Sequence, residues 1–242
     1  MGVWLWLYFP SGMKQKEVIK LETMVRQEAV ETSGAAAVAT KVLQSPPKSK
    51  PAYLAIKRLL DILVSFVFGI LLLVPMCIIG ALIRLGSPGP ALFRQERLGK
   101  DGKPFTMVKF RSMRVDAEKN GPQWADKDDD RCTKIGRFLR ASRLDELPQL
   151  WNIFVGDMSF VGPRPERACF YDEFETYIPG FRNRLWVKPG LTGHAQINGG
   201  YDLLPEEKIV FDMEYIEKQS LKMDLVCVLK TIQIVFTHEG AR

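Results

Sequence analysis

The stretch Ile62–Ile83, ILVSFVFGILLLVPMCIIGALI, runs for 22 residues without a formal charge. As a helix rising about 1.5 Å per residue it would extend roughly 33 Å, close to the depth of one bilayer core. Two features oppose a straight crossing. Pro75 removes a backbone donor and crowds the preceding turn, which predicts a kink or break. Lys48, Lys50, Lys57 and Arg58 precede the segment and Arg84, Arg94, Arg97 and Lys100 follow it, and basic flanks favour the cytoplasmic side at both ends. The expectation is a proline-broken helix that enters and leaves one leaflet, ahead of a conventional span or a buried helix of a soluble core.

Upstream, MGVWLWLYF at the N-terminus is too short to span a bilayer and lacks the basic start of a signal peptide. It reads as an interfacial or artefactual extension, with Met13 as an alternative start. Residues 11–51 are polar and end in SPPKSKP, which predicts a weak helix and then a linker. The expected organisation is an extension and linker over 1–51, a re-entrant membrane helix over 52–86 and a catalytic domain on the cytoplasmic face over 87–242.

The whole chain has 242 residues, with 34 Lys plus Arg against 28 Asp plus Glu, a net charge of +6. That is chain enough for one domain with appendages. Cys77, Cys132, Cys169 and Cys227 lie far apart without a CxxC pair, which argues against a disulfide framework or a zinc ribbon. With only His194 and His238 to hand, any metal should be a hard cation held by oxygens.

Downstream, Ala91–Arg97 and Phe105–Arg111 flank the turn-rich GKDGK, the pattern of a β-hairpin. Period two places Lys109 and Arg111 on one face and Val108 and Phe110 on the other. From Arg84 to Arg114 there are eight basic and two acidic residues, a surplus equal to that of the whole chain. An acidic loop follows, with Asp116, Glu118, Asp126, Asp128, Asp129 and Asp130. Near the C-terminus, PEEKIVFDMEYIEKQ has helical spacing, and a more apolar helix is expected over Leu221–Thr237. Leu225, Val228, Leu229, Ile232 and Phe236 share one face of it, suited to core packing or to lying on a membrane surface.

The densest polar constellation outside the hairpin is Arg140-Ala-Ser-Arg143-Leu-Asp145-Glu146-Leu-Pro148-Gln-Leu-Trp-Asn152. Pro148 marks a helix start, which puts Asp145 and Glu146 at a helix N-terminus. A plain acidic cap satisfies the spacing. The same geometry also suits an ionised Asp beside a bound phosphate. Such an attack needs cations, because two unit charges 4 Å apart repel by about 4 kcal/mol at an effective dielectric of 20. Lys109, Arg111, Arg140 and Arg143 can supply them, together with Arg164, whose flanking prolines in GPRPE present one guanidinium rigidly for phosphate or for a structural ion pair. The turn VKPGLTG, residues 187–193, suggests no chemistry by itself.

KRLLDI, SPGPALFRQERLGKDGKPFTMVKFRSM, RLDELPQLWN, GDMSFVGPRPE and VKPGLTG, in this order, resemble the bacterial sugar transferases known as monotopic phosphoglycosyl transferases, over about Ala52–Thr237. The resemblance implies a mainly α protein with a small β-hairpin, a Pro-broken re-entrant helix and amphipathic interfacial helices, seated in the bacterial inner membrane. It implies transfer of a sugar 1-phosphate from a UDP-sugar to undecaprenyl phosphate, releasing UMP, as the first membrane step of exopolysaccharide, capsule or related glycan synthesis. The family's Asp-Glu dyad falls on Asp145, the implied nucleophile, and Glu146, the implied partner of Mg²⁺. Arg140 and Arg164 match arginines near the phosphates or nucleotide, and Lys109 and Arg111 match its basic strand. Val74 stands where some small members have Ser before the proline, and the chain reads as a short form. Asp212 and Asp224 fall in family-like positions without an implied role.

The competing reading is a non-catalytic membrane-anchored scaffold for polysaccharide enzymes, against which the intact Asp145-Glu146 pair argues. Nucleic-acid binding is not expected, since the basic residues cluster at a membrane flank where anionic lipid and diphosphate account for them. A homodimer is left open, and no motif reads the identity of the sugar.

Overall fold

The computed structural model describes residues 42–119, 121, 129–199 and 203–237. The expectations for residues 1–41, and for Asp126 and Asp128 in the acidic loop, lie outside them. Eight helices, α1 Pro51–Leu71, α2 Leu73–Gly86, α3 Lys134–Ala141, α4 Gln149–Val155, α5 Ala168–Glu175, α6 His194–Ile197, α7 Pro205–Lys218 and α8 Leu221–Thr237, are accompanied by two small sheets among the described residues. Strands β1 Leu92–Leu98 and β2 Pro104–Phe110 pair antiparallel, and β3 Ser159–Val161 runs parallel to β4 Gly190–Thr192. The architecture is mainly helical with a small antiparallel hairpin, as the sequence led one to expect.

Helices α1 and α2 form a pair bent by 61°, and no single described helix is long and apolar enough to cross a membrane. The break falls at Leu72 rather than at Pro75. Proline is tolerated in the first turn of a helix, where its missing donor costs nothing. α2 therefore starts at Leu73, so that Pro75 stays within its first turn, and α1 ends beside Leu71, whose carbonyl the ring would crowd.

One face of α1 carries the polar residues that fasten it to the rest of the chain. The Asp224 carboxylate accepts from Tyr53 (2.9 Å), Lys57 (2.8 Å) and Tyr215 (2.8 Å). Asp61 accepts from the Ser159 hydroxyl and the Phe160 amide, both at 3.1 Å. Arg58 donates to the carbonyls of Ile153 and Phe154 at the end of α4, where helix carbonyls lack internal partners. Lys57 and Arg58, read from sequence as flanking charges, are thus spent on docking. The opposite surface of α1 is bare: Leu59, Leu63 and Ile70 are 56%, 51% and 58% exposed.

The two Gly-rich turns meet at the β3–β4 contact. Gly162 donates to the Thr192 carbonyl and Gly190 to the Pro163 carbonyl, each at 2.9 Å. A Cβ on Gly190 would lie 2.1 Å from the Gly162 amide nitrogen, so the backbones can approach only without side chains. This gives VKPGLTG its role: it braces the turn that carries Arg164. Asn152 of α4 acts as a strand mimic on β2, accepting from the Val108 amide (3.0 Å) and donating to the Thr106 carbonyl (2.8 Å).

Helix α3 packs directly on the chain leaving β2. Thr133 caps it by accepting from the Gly136 amide at 2.9 Å. A Cβ on Gly136 would sit 1.7 Å from the Ser112 carbonyl oxygen, and backbone cannot yield as a side-chain tip can. Gly136→Ala should therefore destabilise the fold by at least about 3 kcal/mol. Thermal unfolding in detergent micelles should show a midpoint roughly 10 °C lower, and an unchanged midpoint would show that α3 does not rest on Ser112.

Candidate functional site

A cavity of about 400 Å³ opens where β1, β2, the dyad turn and the Arg164 turn converge, within the usual range for small-molecule sites. Asp145 and Glu146, 8% and 9% exposed, form part of its wall. They stand just ahead of α4, in a 3₁₀ turn of their own. The chain turns at Arg143, which adopts the left-handed conformation (φ 57°), then makes a 3₁₀ turn over Leu144–Glu146 before α4 begins at Gln149. A left-handed Arg is a strained conformation of the kind that collects at functional sites. It starts the 3₁₀ turn that carries both carboxylates, whose charge is offset by side-chain cations.

The two acids are treated differently. Glu146 is paired with Arg164 at 2.5 Å. Among the described residues Asp145 makes no ion pair or hydrogen bond through its carboxylate. Burial and the neighbouring Glu146 push the Asp145 carboxyl up to about 7, with Lys109, Arg164 and Arg140 pulling it back. Burial also acts to raise Glu146, but Arg164, through charge and hydrogen bond, outweighs it and holds that carboxyl below the usual range. Two adjacent carboxyls whose pKa values are driven apart can take different roles.

Of the cations expected from sequence, Lys109, Arg140 and Arg164 converge on the dyad. Lys109 lies over the Phe93 ring, 5.3 Å from its centroid, and makes no ion pair among the described residues. Burial lowers it to about 8, while Asp145 acts to raise it and Arg97 and Arg164 to lower it. Arg140 has no carboxylate partner among the described residues; its guanidinium donates to the Cys132 sulfur at 3.1 Å. Arg111 sits at the cavity wall, but β2 ends at Phe110 and the guanidinium donates to the carbonyls of Pro88 and Ser87 and to the Ser87 hydroxyl. Its observed contacts clamp the chain leaving α2. The expected alternation is blurred as well, since Met107 and Phe110 are the buried residues of β2 and Val108 and Lys109 are both half-buried.

Sequence reasoning missed several residues of this site. Glu166 binds Arg97 (3.1 Å) and Arg167 binds Glu118 (2.9 Å) along the wall. Glu166 closes the quoted GPRPE motif and Arg167 follows it, so the charges of that motif were the available signal. Gln196 lines the cavity with neither end of its amide hydrogen-bonded among the described residues. Arg184 and Asp212 form an ion pair whose side chains are each 1% exposed, and Arg184 also donates to the Arg164 carbonyl at 3.0 Å. Asp212 had stood out only by its family-like position, and the 28-residue separation gave no sign of its pairing with Arg184; this pair holds Arg164 from behind.

No described group of three or more His, Cys, Asp or Glu could enclose a metal ion. Two adjacent carboxylates do suit Mg²⁺ that completes its shell with water and substrate phosphates. The cavity thus holds one unpaired buried carboxylate among cations. The family model for bacterial sugar transferases matches residues 52–238, and the chain belongs to that family. It is 44% identical over 196 residues to a UDP-N-acetylgalactosamine-undecaprenyl-phosphate N-acetylgalactosaminephosphotransferase of Aeromonas hydrophila, covering 79% of this chain and 46% of the relative. It is similar to UDP-glucose:undecaprenyl-phosphate glucose-1-phosphate transferases of Escherichia coli (41% identity; 77% of this chain, 41% of the relative) and Caulobacter vibrioides (42% identity; 76% and 71%). The chain thus spans less than half of the first two and over two thirds of the third.

The Arg184–Asp212 pair makes a prediction. Asp212→Ala leaves a buried cation unmatched and should cost about 3–5 kcal/mol, whereas Asp212→Leu with Arg184→Met should recover most of that loss. Thermal midpoints of the three proteins in one detergent decide it; a double variant no more stable than the single would deny the pair its role.

Proposed function

We propose that this chain transfers a sugar 1-phosphate from a UDP-sugar to undecaprenyl phosphate, releasing UMP, and so initiates assembly of an exopolysaccharide, capsule or related glycan. The observation that carries this reading is the unpaired, buried Asp145 carboxylate facing Lys109, Arg140 and Arg164 across one cavity. The names of its relatives point to the same substrates. Asp145 attacks the β-phosphorus of the UDP-sugar. A bond forms from its carboxylate oxygen to phosphorus, and the bond to the bridging oxygen breaks, so UMP leaves with the electron pair. An oxygen of undecaprenyl phosphate then attacks the same phosphorus and displaces the carboxylate, regenerating Asp145 in a ping-pong scheme.

Lys109, Arg140 and Arg164 offset the repulsion between carboxylate and diphosphate and stabilise the charge on the phosphoryl oxygens. Glu146, tied to Arg164, fixes that guanidinium and is the residue that would hold Mg²⁺ with Asp145 nearby. Bound there, Mg²⁺ would neutralise diphosphate charge.

The catalytic body would rest on the cytoplasmic face of the inner membrane, with α1 and α2 re-entrant. Both ends of the bent pair are fastened to one body. α1 is held through Asp224, Asp61 and Arg58, and the exit of α2 through Arg111 and a buried cluster of Ile83, Phe110 and Leu139. Leu225, Leu229 and Ile232 on α8 and Trp151 on α4 are also exposed, an apolar surface suited to lipid.

The transfer chemistry is tested by intact-protein mass after incubation with Mg²⁺ and single UDP-sugars, lipid withheld. A phosphosugar adduct should accumulate on the wild type and be absent from Asp145→Asn, and its mass identifies the class of sugar. Adduct formation requires Asp145 ionised and Lys109 protonated, so its initial rate should rise with pH through about 7 and fall above about 8. Turnover with lipid present but no adduct at any pH would replace the covalent route with direct transfer.

Topology has its own test. Single cysteines at Ser49 and Arg94, in a background without native cysteines, should resist an impermeant maleimide in intact spheroplasts and react after lysis. Opposite accessibilities would replace the re-entrant pair with a span.

A further inference from the structure

A second cavity, of about 440 Å³, lies where residues 46–50, α1, the Lys100–Gly102 turn and Trp186–Lys188 meet. It shares no lining residue with the catalytic cavity. Six cations, Lys48, Lys50, Lys57, Arg58, Lys100 and Lys188, face two carboxylates, Asp61 and Asp101. Three of the six are committed: Lys50 to the Gln219 carbonyl, Lys57 to Asp224 and Arg58 to the carbonyls of Ile153 and Phe154. Asp61 is committed to Ser159 and Phe160. Lys48, Lys100 and Lys188 make no ion pair or side-chain hydrogen bond among the described residues.

Like charges gathered on one concave surface repel unless an anion joins them. Two of the cations approach each other beside Gly156, where an added Cβ would lie 3.1 Å from the Arg58 Nη2 and 3.3 Å from the Lys188 Nζ. Burial, and then Arg58, hold the Lys188 ammonium below its usual pKa. The remaining wall is partly apolar, with the exposed Leu54 and with Trp186 beside Lys188.

We infer that this cavity is a second anion site, separate from catalysis, that takes a phosphate group between Lys48, Lys100 and Lys188. A phosphate offers several acceptor oxygens to three lysines and can be approached from several directions. The headgroup of an anionic phospholipid and free inorganic phosphate share this chemistry. Leu54 and Trp186 offer the lipid apolar contact. The site stands whether or not the transfer reaction is as proposed.

The test uses the full chain in neutral dodecyl maltoside micelles. Dioleoyl phosphatidylglycerol, dioleoyl phosphatidylcholine and inorganic phosphate are titrated separately, with emission from Trp186 as the readout and Trp186→Phe as the blank. Phosphatidylglycerol should saturate the signal and phosphatidylcholine should not. Each Lys→Gln change at Lys100 or Lys188 should weaken binding about fivefold, and Lys188→Arg should retain it. If inorganic phosphate saturates the signal and phosphatidylglycerol binds no better, the site stands with a soluble anion as its source. UMP release from UDP-sugar, measured in the same micelles without added lipid anion, should be unchanged in Lys100→Gln and Lys188→Gln, which separates this site from the catalytic one. Absence of saturation by either anion, or full affinity in a folded Lys100→Gln/Lys188→Gln protein, would overturn it.

Discussion

The Asp224 carboxylate accepts three donors from two directions, Tyr53 and Lys57 on α1 and Tyr215 on α7. A helix as apolar as α1 would otherwise have no directional reason to adopt one orientation against the body, because apolar contacts are not directional. Asp224, Asp61 and Arg58 supply that direction. Arg58 holds the end of α4, Asn152 of α4 holds β2, and β2 carries Lys109. The dyad turn lies just before α4, so the position of Asp145 relative to the bent helix pair follows from a short series of buried polar contacts. Removing one partner from such a contact leaves buried donors unsatisfied, which costs more than the contact contributes when made.

The cavity works by imbalance between two neighbouring carboxylates. Arg164 is held by prolines on either side, by the β3–β4 contact and by Arg184, and it spends its charge on Glu146. Asp145 has no such partner and is left to burial, which disfavours its charged form. Proximity to Lys109 and Arg140 keeps ionisation within reach of neutral pH. A carboxylate so poorly solvated is a better nucleophile than one capped by water or by a helix end. The left-handed Arg143 is the backbone feature that makes this geometry possible.

Much of this was legible in the order of residues. The hairpin, α7 and α8 appear where alternation, turn residues and helical spacing placed them, because those signals are local. Local reasoning failed where a neighbour outside the segment decided the outcome. Pro148 predicted carboxylates at the start of its own helix; they lie instead in a separate 3₁₀ turn just before it, entered through the left-handed Arg143. Arg111 shared a period with Lys109, but the strand stopped one residue short of it and the side chain found the carbonyls at the exit of α2. Pro75 required a break, and the rule that proline fits a first turn moved that break to Leu72.

The sequence by itself determined that a bent helix pair, uncharged over Ile62–Ile83, precedes a basic hairpin, and that Asp145 and Glu146 lie among arginines. Composition and short-range spacing are sufficient for that, since helix length, proline breaks and strand pairs depend on residues close along the chain. Only the tertiary structure decided which acid is paired and which is free, that Arg184 and Asp212 stand behind Arg164, and that Lys57 and Arg58 dock α1. It alone also gathered Lys48, Lys100 and Lys188 around one cavity. Those outcomes join residues far apart in sequence, and the pKa of a buried group is set by whatever charges the fold brings near it and by how much water it removes.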